Sequence, residues 1–182
     1  RQNNEMGKAR KLASLRSLLS YFYKKEKIHR NVAQLVDLPK LKEQPIIRLD
    51  VDEVAKLLDA VESGKKLTPT QLRYHKYTKS RDLAILTLLL GTGIRISECV
   101  GLNIRDFDFR NNSFRVTRKG GDKVILYYGN EVKSAIQNYI SERKEIETLP
   151  NHDEALFLSI QRRRLSHRAL QNLVRKYASI IS

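Results

Sequence analysis

The chain has 182 residues, of which 41% are apolar and 30% are charged. This balance supplies enough apolar surface for a packed core, whereas disordered chains combine low hydrophobicity with high charge. Eight glycines and four prolines exclude a collagen-like or low-complexity chain, and the single cysteine, Cys99, excludes a disulfide scaffold.

The formal net charge of +15 is concentrated at the two ends of the chain. Residues 1–48 carry 12 basic and 4 acidic side chains, residues 49–154 carry 17 and 16, and residues 155–182 carry 6 and none. Basic flanks around a near-neutral middle are typical of a protein that binds a polyanion, although solvated helix faces are the alternative. We expect nucleic acid rather than a membrane as the partner, because no basic segment is combined with a broad aromatic stripe.

The first predicted helix covers residues 5–24, where apolar side chains recur every three or four positions. Residues 39–48 contain two prolines and predict a linker between two domains. A single helix cannot bury its own apolar stripe, so residues 1–38 are expected to be the end of a domain that begins earlier.

The second domain opens with a capping pattern, in which Asp50 and Glu53 predict a helix that Gly64 ends. Residues 64–80 are polar and basic and predict a loop. Ser80 is then expected to cap a helix over residues 81–90, which is apolar nearly all round and belongs at the centre of the fold.

A Gly-Thr-Gly break follows, and a short helix is predicted from residue 94 to about 102. Residues 103–128 alternate in polarity and predict a three-stranded antiparallel meander with asparagine- and glycine-rich turns. A helix over residues 131–147, a short strand over residues 155–159 and a last helix capped by Ser166 complete the elements. The predicted fold class is α+β, mainly helical with one small sheet at an edge.

Four segments of the chain carry recognisable motifs. They are LDVDEV at residues 49–54, GTGIRISE at 91–98, RKGGDK at 118–123 and ALFLS at 155–159. In order and separation they resemble the tyrosine recombinase (phage-integrase and Xer-like) family, and the RKGG form is most similar to conjugative-transposon integrases. The resemblance implies that residues 1–38 end a helical core-binding domain and that residues 49–182 begin the catalytic domain.

The resemblance implies a catalytic role for Arg95, and the chemistry of the residue agrees with it. A planar guanidinium can donate two parallel hydrogen bonds to phosphate oxygens on which charge develops during transesterification. Glu98 is expected to orient Arg95. The alternatives are an exposed arginine that pairs with Glu98 three positions on, and an ordinary surface glutamate.

Lys119 is the implied general acid of the reaction, because the departing 5′ oxygen needs a proton and a lysine at a hairpin tip can reach it. The alternative is an ordinary turn lysine, and Lys123 is the competitor within the same turn. The further basic side chains that we expect to contact DNA phosphates are Lys8, Arg10, Lys11, Arg16, Lys123, Arg162, Arg163, Arg164 and Arg168. For residues 162–164 a solvated loop is an equal alternative.

Part of the family's catalytic set is not found in the sequence. The family's second motif is His-x-x-Arg, and none of the four histidines has arginine at the third following position. Tyr127, Tyr128, Tyr139 and Tyr177 fit core or half-core positions, so no nucleophile is assigned. We therefore expect a fragment that lacks the C-terminal catalytic segment.

The function implied by the resemblance is site-specific DNA recombination by an integrase or transposase of a mobile element. Double-stranded DNA is cut and rejoined through a 3′-phosphotyrosyl intermediate and a Holliday junction, without a metal or another cofactor. The implied assembly is a homo-oligomer on DNA, a synaptic tetramer, in the bacterial cytoplasm and at the nucleoid. A type IB topoisomerase and a non-catalytic DNA-binding regulator are the alternatives.

Overall fold

The structure is a computed structural model that describes residues 4–40 and 48–181. The chain forms two compact units, Arg1–Arg48 and Leu49–Ser182, which are described separately. Most of the linker predicted over residues 39–48 lies outside the described residues. The assignment of the two units to a core-binding and a catalytic domain therefore stays a prediction.

The first unit contains helix α1, Glu5–Lys24, as the sequence predicts, and a 3-10 turn, Val32–Leu35. Arg16 on α1 is half-buried. Its Nε donates a hydrogen bond to the carbonyl of Ala33 at 3.0 Å, and its Nη2 donates to the carbonyl of Val36. This basic side chain therefore ties the turn to the helix.

The second unit opens with helix α2, Val51–Ser63, which begins and ends as predicted. Asp50 accepts the amide of Glu53 at 2.7 Å, and the Glu53 carboxylate accepts the amide of Asp50 at 2.9 Å. Gly64 ends the helix with a φ of 69°, a left-handed conformation that favours glycine.

Helix α3, Pro69–Thr92, is longer than predicted. The predicted loop over residues 64–80 is formed only over residues 64–68, and the predicted cap at Ser80 is wrong. Thr68 caps the helix instead, in a reciprocal pair of hydrogen bonds with Gln71 at 2.9 and 3.3 Å. Most side chains in the first half of α3 are exposed, so no apolar stripe marks that half as helical in the sequence.

The predicted meander is confirmed as a three-stranded antiparallel sheet in the order β1-β2-β3. Its strands are β1, Phe107–Asp108, β2, Ser113–Thr117, and β3, Lys123–Tyr127. Phe114 on β2 stands opposite Phe107 on one side and Leu126 on the other. The stacked rings of Phe107 and Phe114, whose centroids are 5.0 Å apart, fix one face of the sheet onto the core.

Three further helices complete the unit: α4, Ile96–Gly101, α5, Asn130–Lys144, and α6, His167–Ile181. The predicted cap of α6 is confirmed, since Ser166 Oγ accepts the amide of Ala169 at 3.2 Å. The strand predicted over residues 155–159 is not formed. That segment is buried but makes isolated bridges, which pair Ala155 with Asn103 and Leu158 with Arg164.

The core surrounds the apolar second half of α3, which packs against α5, as its sequence predicts. Tyr139 and Tyr177 are buried as predicted, and so is Tyr128. Tyr127 is 73% exposed, so the prediction of a core or half-core position for it is wrong. Within the described part of the chain, no helix is both long and apolar enough to cross a membrane.

Candidate active site

Arg95 stands between two helices, where the chain changes direction. Gly93 ends α3 in the left-handed region with a φ of 63°, and the side chain of Ile94 is buried beside it. Arg95 is extended and occupies the position immediately before α4. Gly93 allows the turn because glycine tolerates this backbone conformation. Ile94 anchors the turn in the core, and the side chain of the next residue, Arg95, lies at the surface.

Glu98 holds Arg95 by two hydrogen bonds. Its Oε2 accepts the backbone amide of Arg95 at 2.9 Å, and its Oε1 accepts Nη1 of the same residue at 2.9 Å. The side chain of Glu98 is only 3% exposed, whereas that of Arg95 is 64% exposed. Glu98 is therefore buried and not a surface glutamate. The exposed Arg95 pairs with it three positions on, a geometry that both the expected orienting role and the alternative of a simple ion pair predict.

The ionisation of Glu98 is favoured by its neighbours. Burial raises the pKa of this carboxyl, but the hydrogen bonds from Arg95 and the charges of Arg118 and Arg95 outweigh burial and hold the pKa below its usual range. Glu98 is thus a fixed negative charge at neutral pH. It is available to orient cations in the site.

The β2–β3 hairpin reaches this carboxylate through Arg118. Nη1 of Arg118 lies 3.6 Å from Oε1 of Glu98. The turn itself is closed by two backbone hydrogen bonds, from Arg118 to Asp122 at 2.7 Å and from Gly121 to Arg118 at 3.0 Å. Gly120 and Gly121 both have positive φ, which explains the paired glycines of the RKGG motif.

Lys119 follows Arg118 at the tip of this turn and is exposed. Among the described residues its ammonium has no hydrogen-bond or ion-pair partner. Lys123 begins β3 opposite Thr117 and is also exposed. The structure therefore brings Arg118, at the base of the hairpin, to Arg95 and Glu98. Lys119 is the next residue after Arg118.

The three arginines of residues 162–164 have different environments. Nη1 of Arg164 donates to the carbonyls of Val100 and Leu102 at 2.9 and 2.8 Å, and Nη2 donates to Asn103 Oδ1 at 2.5 Å. Arg164 thus holds the end of α4, and a phosphate contact by the rest of its guanidinium stays a prediction. Arg162 and Arg163 are exposed.

The remaining predicted phosphate contacts lie on the surface, with one exception. Lys8 pairs with Glu5 at 2.7 Å, and Arg10, Lys11 and Arg168 are exposed. Arg16 is the exception: its guanidinium donates to backbone carbonyls within the first unit, and its contact with DNA stays a prediction.

Two features of the structure were missed in the sequence. One is the contact of Arg118 with Glu98, which the hairpin motif does not predict. The other is a buried charge cluster around Asp82, which is 1% exposed. The sequence hint for Arg118 is its position beside Lys119. The Asp82 cluster joins α3 to residues far away in the sequence, so no local pattern predicts it.

A model of the phage integrase family matches residues 47–180, which is most of the chain. The chain belongs to the phage integrase family. One curated relative, tyrosine recombinase XerC of Thermodesulfovibrio yellowstonii, is 35% identical over 176 residues, which cover 95% of this chain and 55% of that protein. This phage integrase family chain spans about half the length of the curated relatives it matches.

Solved structures in the same group share the fold. The Tn1549 transposon integrase in complex with circular intermediate DNA matches with a TM-score of 0.67 and 22% identity, covering 97% of this chain and 59% of that chain. A lambda integrase tetramer bound to a Holliday junction matches with a TM-score of 0.63 and 17% identity, covering 94% and 45%. The predicted α+β recombinase fold is thereby confirmed for this phage integrase family member.

Proposed function

We propose that this chain is the DNA-binding portion, and part of the catalytic portion, of a site-specific recombinase. The observation that carries the proposal is the exposed guanidinium of Arg95, which a buried Glu98 holds at the start of α4. It lies within the segment that resembles the family's first arginine motif. Membership of the phage integrase family supports the same conclusion.

The proposed reaction is a transesterification at phosphorus. A tyrosine oxygen attacks the scissile phosphate, a P–O bond to tyrosine forms, and the bond to the 5′ oxygen breaks. Arg95 donates hydrogen bonds to the non-bridging oxygens as they gain charge, and Lys119 gives a proton to the leaving 5′ oxygen. A free 5′-hydroxyl of a partner strand reverses the step and rejoins the DNA. No tyrosine of this chain is proposed as the nucleophile.

The proposed partner is double-stranded DNA. The net charge of +15 supports it, and so do the exposed Arg10, Lys11, Arg162, Arg163 and Arg168. Related structures contain a transposon integrase on circular intermediate DNA and a lambda integrase tetramer on a Holliday junction. By analogy, we propose a homo-oligomer on DNA, a tetramer when two sites are paired, that serves a mobile element in the bacterial cytoplasm, at the nucleoid.

The test is cleavage of a nicked suicide DNA substrate by an active protein that contains this chain. Arg95→Ala lowers the rate of covalent complex formation by about 10² to 10³, while the DNA affinity stays near that of the parent. Arg105→Ala is the control, because Arg105 is also exposed and pairs with the exposed Glu154 at 2.7 Å. A near-normal covalent complex from Arg95→Ala contradicts the proposal.

Assays on the parent protein also distinguish the recombinase from the two alternative functions, a topoisomerase and a DNA-binding regulator. Relaxation of an unrelated supercoiled plasmid by the parent indicates a type IB topoisomerase. DNA binding without any covalent complex indicates a regulator. A recombinase forms the covalent complex on its own sites and leaves the unrelated plasmid supercoiled.

A further inference from the structure

Arg118 is a second guanidinium on the carboxylate that holds Arg95. Oε1 of Glu98 lies 2.9 Å from Nη1 of Arg95 and 3.6 Å from Nη1 of Arg118. The other carboxylate oxygen is occupied by the backbone amide of Arg95. Two cations from different segments, the residue before α4 and the β2–β3 hairpin, therefore share one oxygen of one buried anion.

The charge of the site depends on this second guanidinium. Arg95 and Glu98 together are neutral, and a neutral pair attracts an approaching phosphate weakly. Arg118 brings the three side chains to a net charge of +1. It also draws part of the Glu98 charge away from Arg95, so that the exposed guanidinium keeps more of its attraction for an anion.

Both guanidinium groups retain donors for a ligand. Within the described residues, the Arg95 side chain makes one hydrogen bond, to Glu98, and the Arg118 side chain makes none within 3.5 Å. A guanidinium carries five N–H donors in one plane. Their side chains are 64% and 34% exposed, so Arg95 is the more accessible to a ligand and Arg118 is the more enclosed.

We propose that Arg118 is a positioning residue for DNA cleavage, which acts through Glu98 on Arg95. The inference rests on the proposed function. Arg118 gives the site a net positive charge. It also interacts with Oε1 of Glu98, the same oxygen that accepts the hydrogen bond from the Arg95 side chain. Because it directly precedes Lys119, the same contact also fixes the base of the turn that carries Lys119 relative to α4.

The first experiment uses the chain itself and needs no activity. The titration of the Glu98 carboxyl is followed by carbon-13 NMR in the parent, Arg118→Gln and Arg118→Lys. Loss of the Arg118 charge raises the pKa of Glu98, and the lysine variant recovers part of the difference. Arg115→Gln is the matched control, because Arg115 is an exposed arginine on β2 without a contact to Glu98. An unchanged Glu98 titration in Arg118→Gln overturns the proposal.

The second experiment measures single-turnover cleavage and DNA affinity in an active protein that contains this chain. Arg118→Gln lowers the cleavage rate by roughly 10-fold, less than the loss of about 10² to 10³ expected for a group that contacts the phosphate directly, and changes the DNA affinity far less. Arg118→Lys recovers part of the rate. The double variant Glu98→Gln with Arg118→Gln is no slower than Glu98→Gln alone.

The opposite results identify a different role. Rate losses that multiply in the double variant, or a loss of DNA affinity as large as the loss of rate, mean that Arg118 contacts DNA independently of Glu98 and overturn the proposal. A parent that forms no covalent complex contradicts the proposed function instead. In that case the Glu98 titration still decides whether Arg118 acts on Glu98.

Discussion

Lys176 on α6 places its ammonium 3.0 Å from Oδ2 of Asp82, a carboxylate that α3 buries almost completely. The hydroxyl of Tyr177 donates to the same oxygen at 3.1 Å, and Arg81 donates to the other carboxylate oxygen at 2.6 and 3.0 Å. Removal of the anion leaves the buried Tyr177 hydroxyl and the half-buried Arg81 and Lys176 without their shared partner. The cluster therefore makes the packing of α6 on α3 depend on one carboxylate.

Asp82→Asn is expected to lower the free energy of unfolding by about 3 to 5 kcal/mol, the usual cost of removing one member of a buried ion pair. Urea unfolding followed by circular dichroism measures the loss. Asp59→Asn is the control on exposed α2 surface and is expected to change stability by less than about 0.5 kcal/mol. Equal losses in the two variants contradict the assigned role of the cluster.

Gly91→Ala tests the packing of α3 against α5. A Cβ at Gly91 comes within 2.8 Å of Cγ2 of Val132, so overpacking is expected to cost about 1 to 3 kcal/mol. Gly101→Ala is the matched control, because a Cβ there meets no described atom within 4 Å. Thermal unfolding of both variants provides the comparison. A Gly91→Ala chain as stable as Gly101→Ala shows that Val132 can move away at little cost.

Acid sensitivity is expected to depend on Glu98. Its pKa in the folded chain is below the ordinary value of 4.5, so the unfolded chain binds its proton first as the pH falls. The contribution of Glu98 is thus complete above pH 4.5 and is lost as the pH falls through the folded value. Glu98→Gln removes this part of the pH dependence. Urea unfolding from neutral pH downward measures it, and a curve parallel to that of the parent contradicts the prediction.

Lys119→Ala is expected to slow cleavage by about 10² to 10⁴ on ordinary DNA. A 5′-phosphorothiolate substrate, whose sulfur leaving group needs no proton, is expected to restore much of that rate. The measurement is covalent complex formation by an active protein that contains this chain. If the same rescue is seen for Lys123→Ala and not for Lys119→Ala, the proton donor is Lys123.

The sequence predicts most of the second unit because its signals are local. Each of these signals lies within a few residues: the Asp50 cap, the glycine after α2 and the alternating polarity of the meander. The first half of α3 is not predicted, because most of its side chains face solvent and carry no apolar period. Its one local signal was Thr68, which precedes a proline and stands three residues before Gln71.

The candidate site was predicted less completely, because its contacts join distant segments. Arg95 and Glu98 stand three residues apart, and their pairing follows from helical spacing. Arg164 is indistinguishable in sequence from its two arginine neighbours, and only the fold brings it to the carbonyls at the end of α4. Tyr127 and Tyr128 are likewise adjacent and identical in sequence, yet the fold buries Tyr128 and leaves Tyr127 exposed.

Arg164 also has a consequence for the order in which the protein folds during synthesis. It satisfies the carbonyls of Val100 and Leu102, yet the ribosome adds it about 70 residues after Arg95, which at 5 to 20 residues per second takes roughly 3 to 14 seconds. Until then the end of α4 lacks these donors. The end of α4 therefore gains its Arg164 contacts late in translation, and a contact between residues this far apart in sequence is expected to form late in refolding as well.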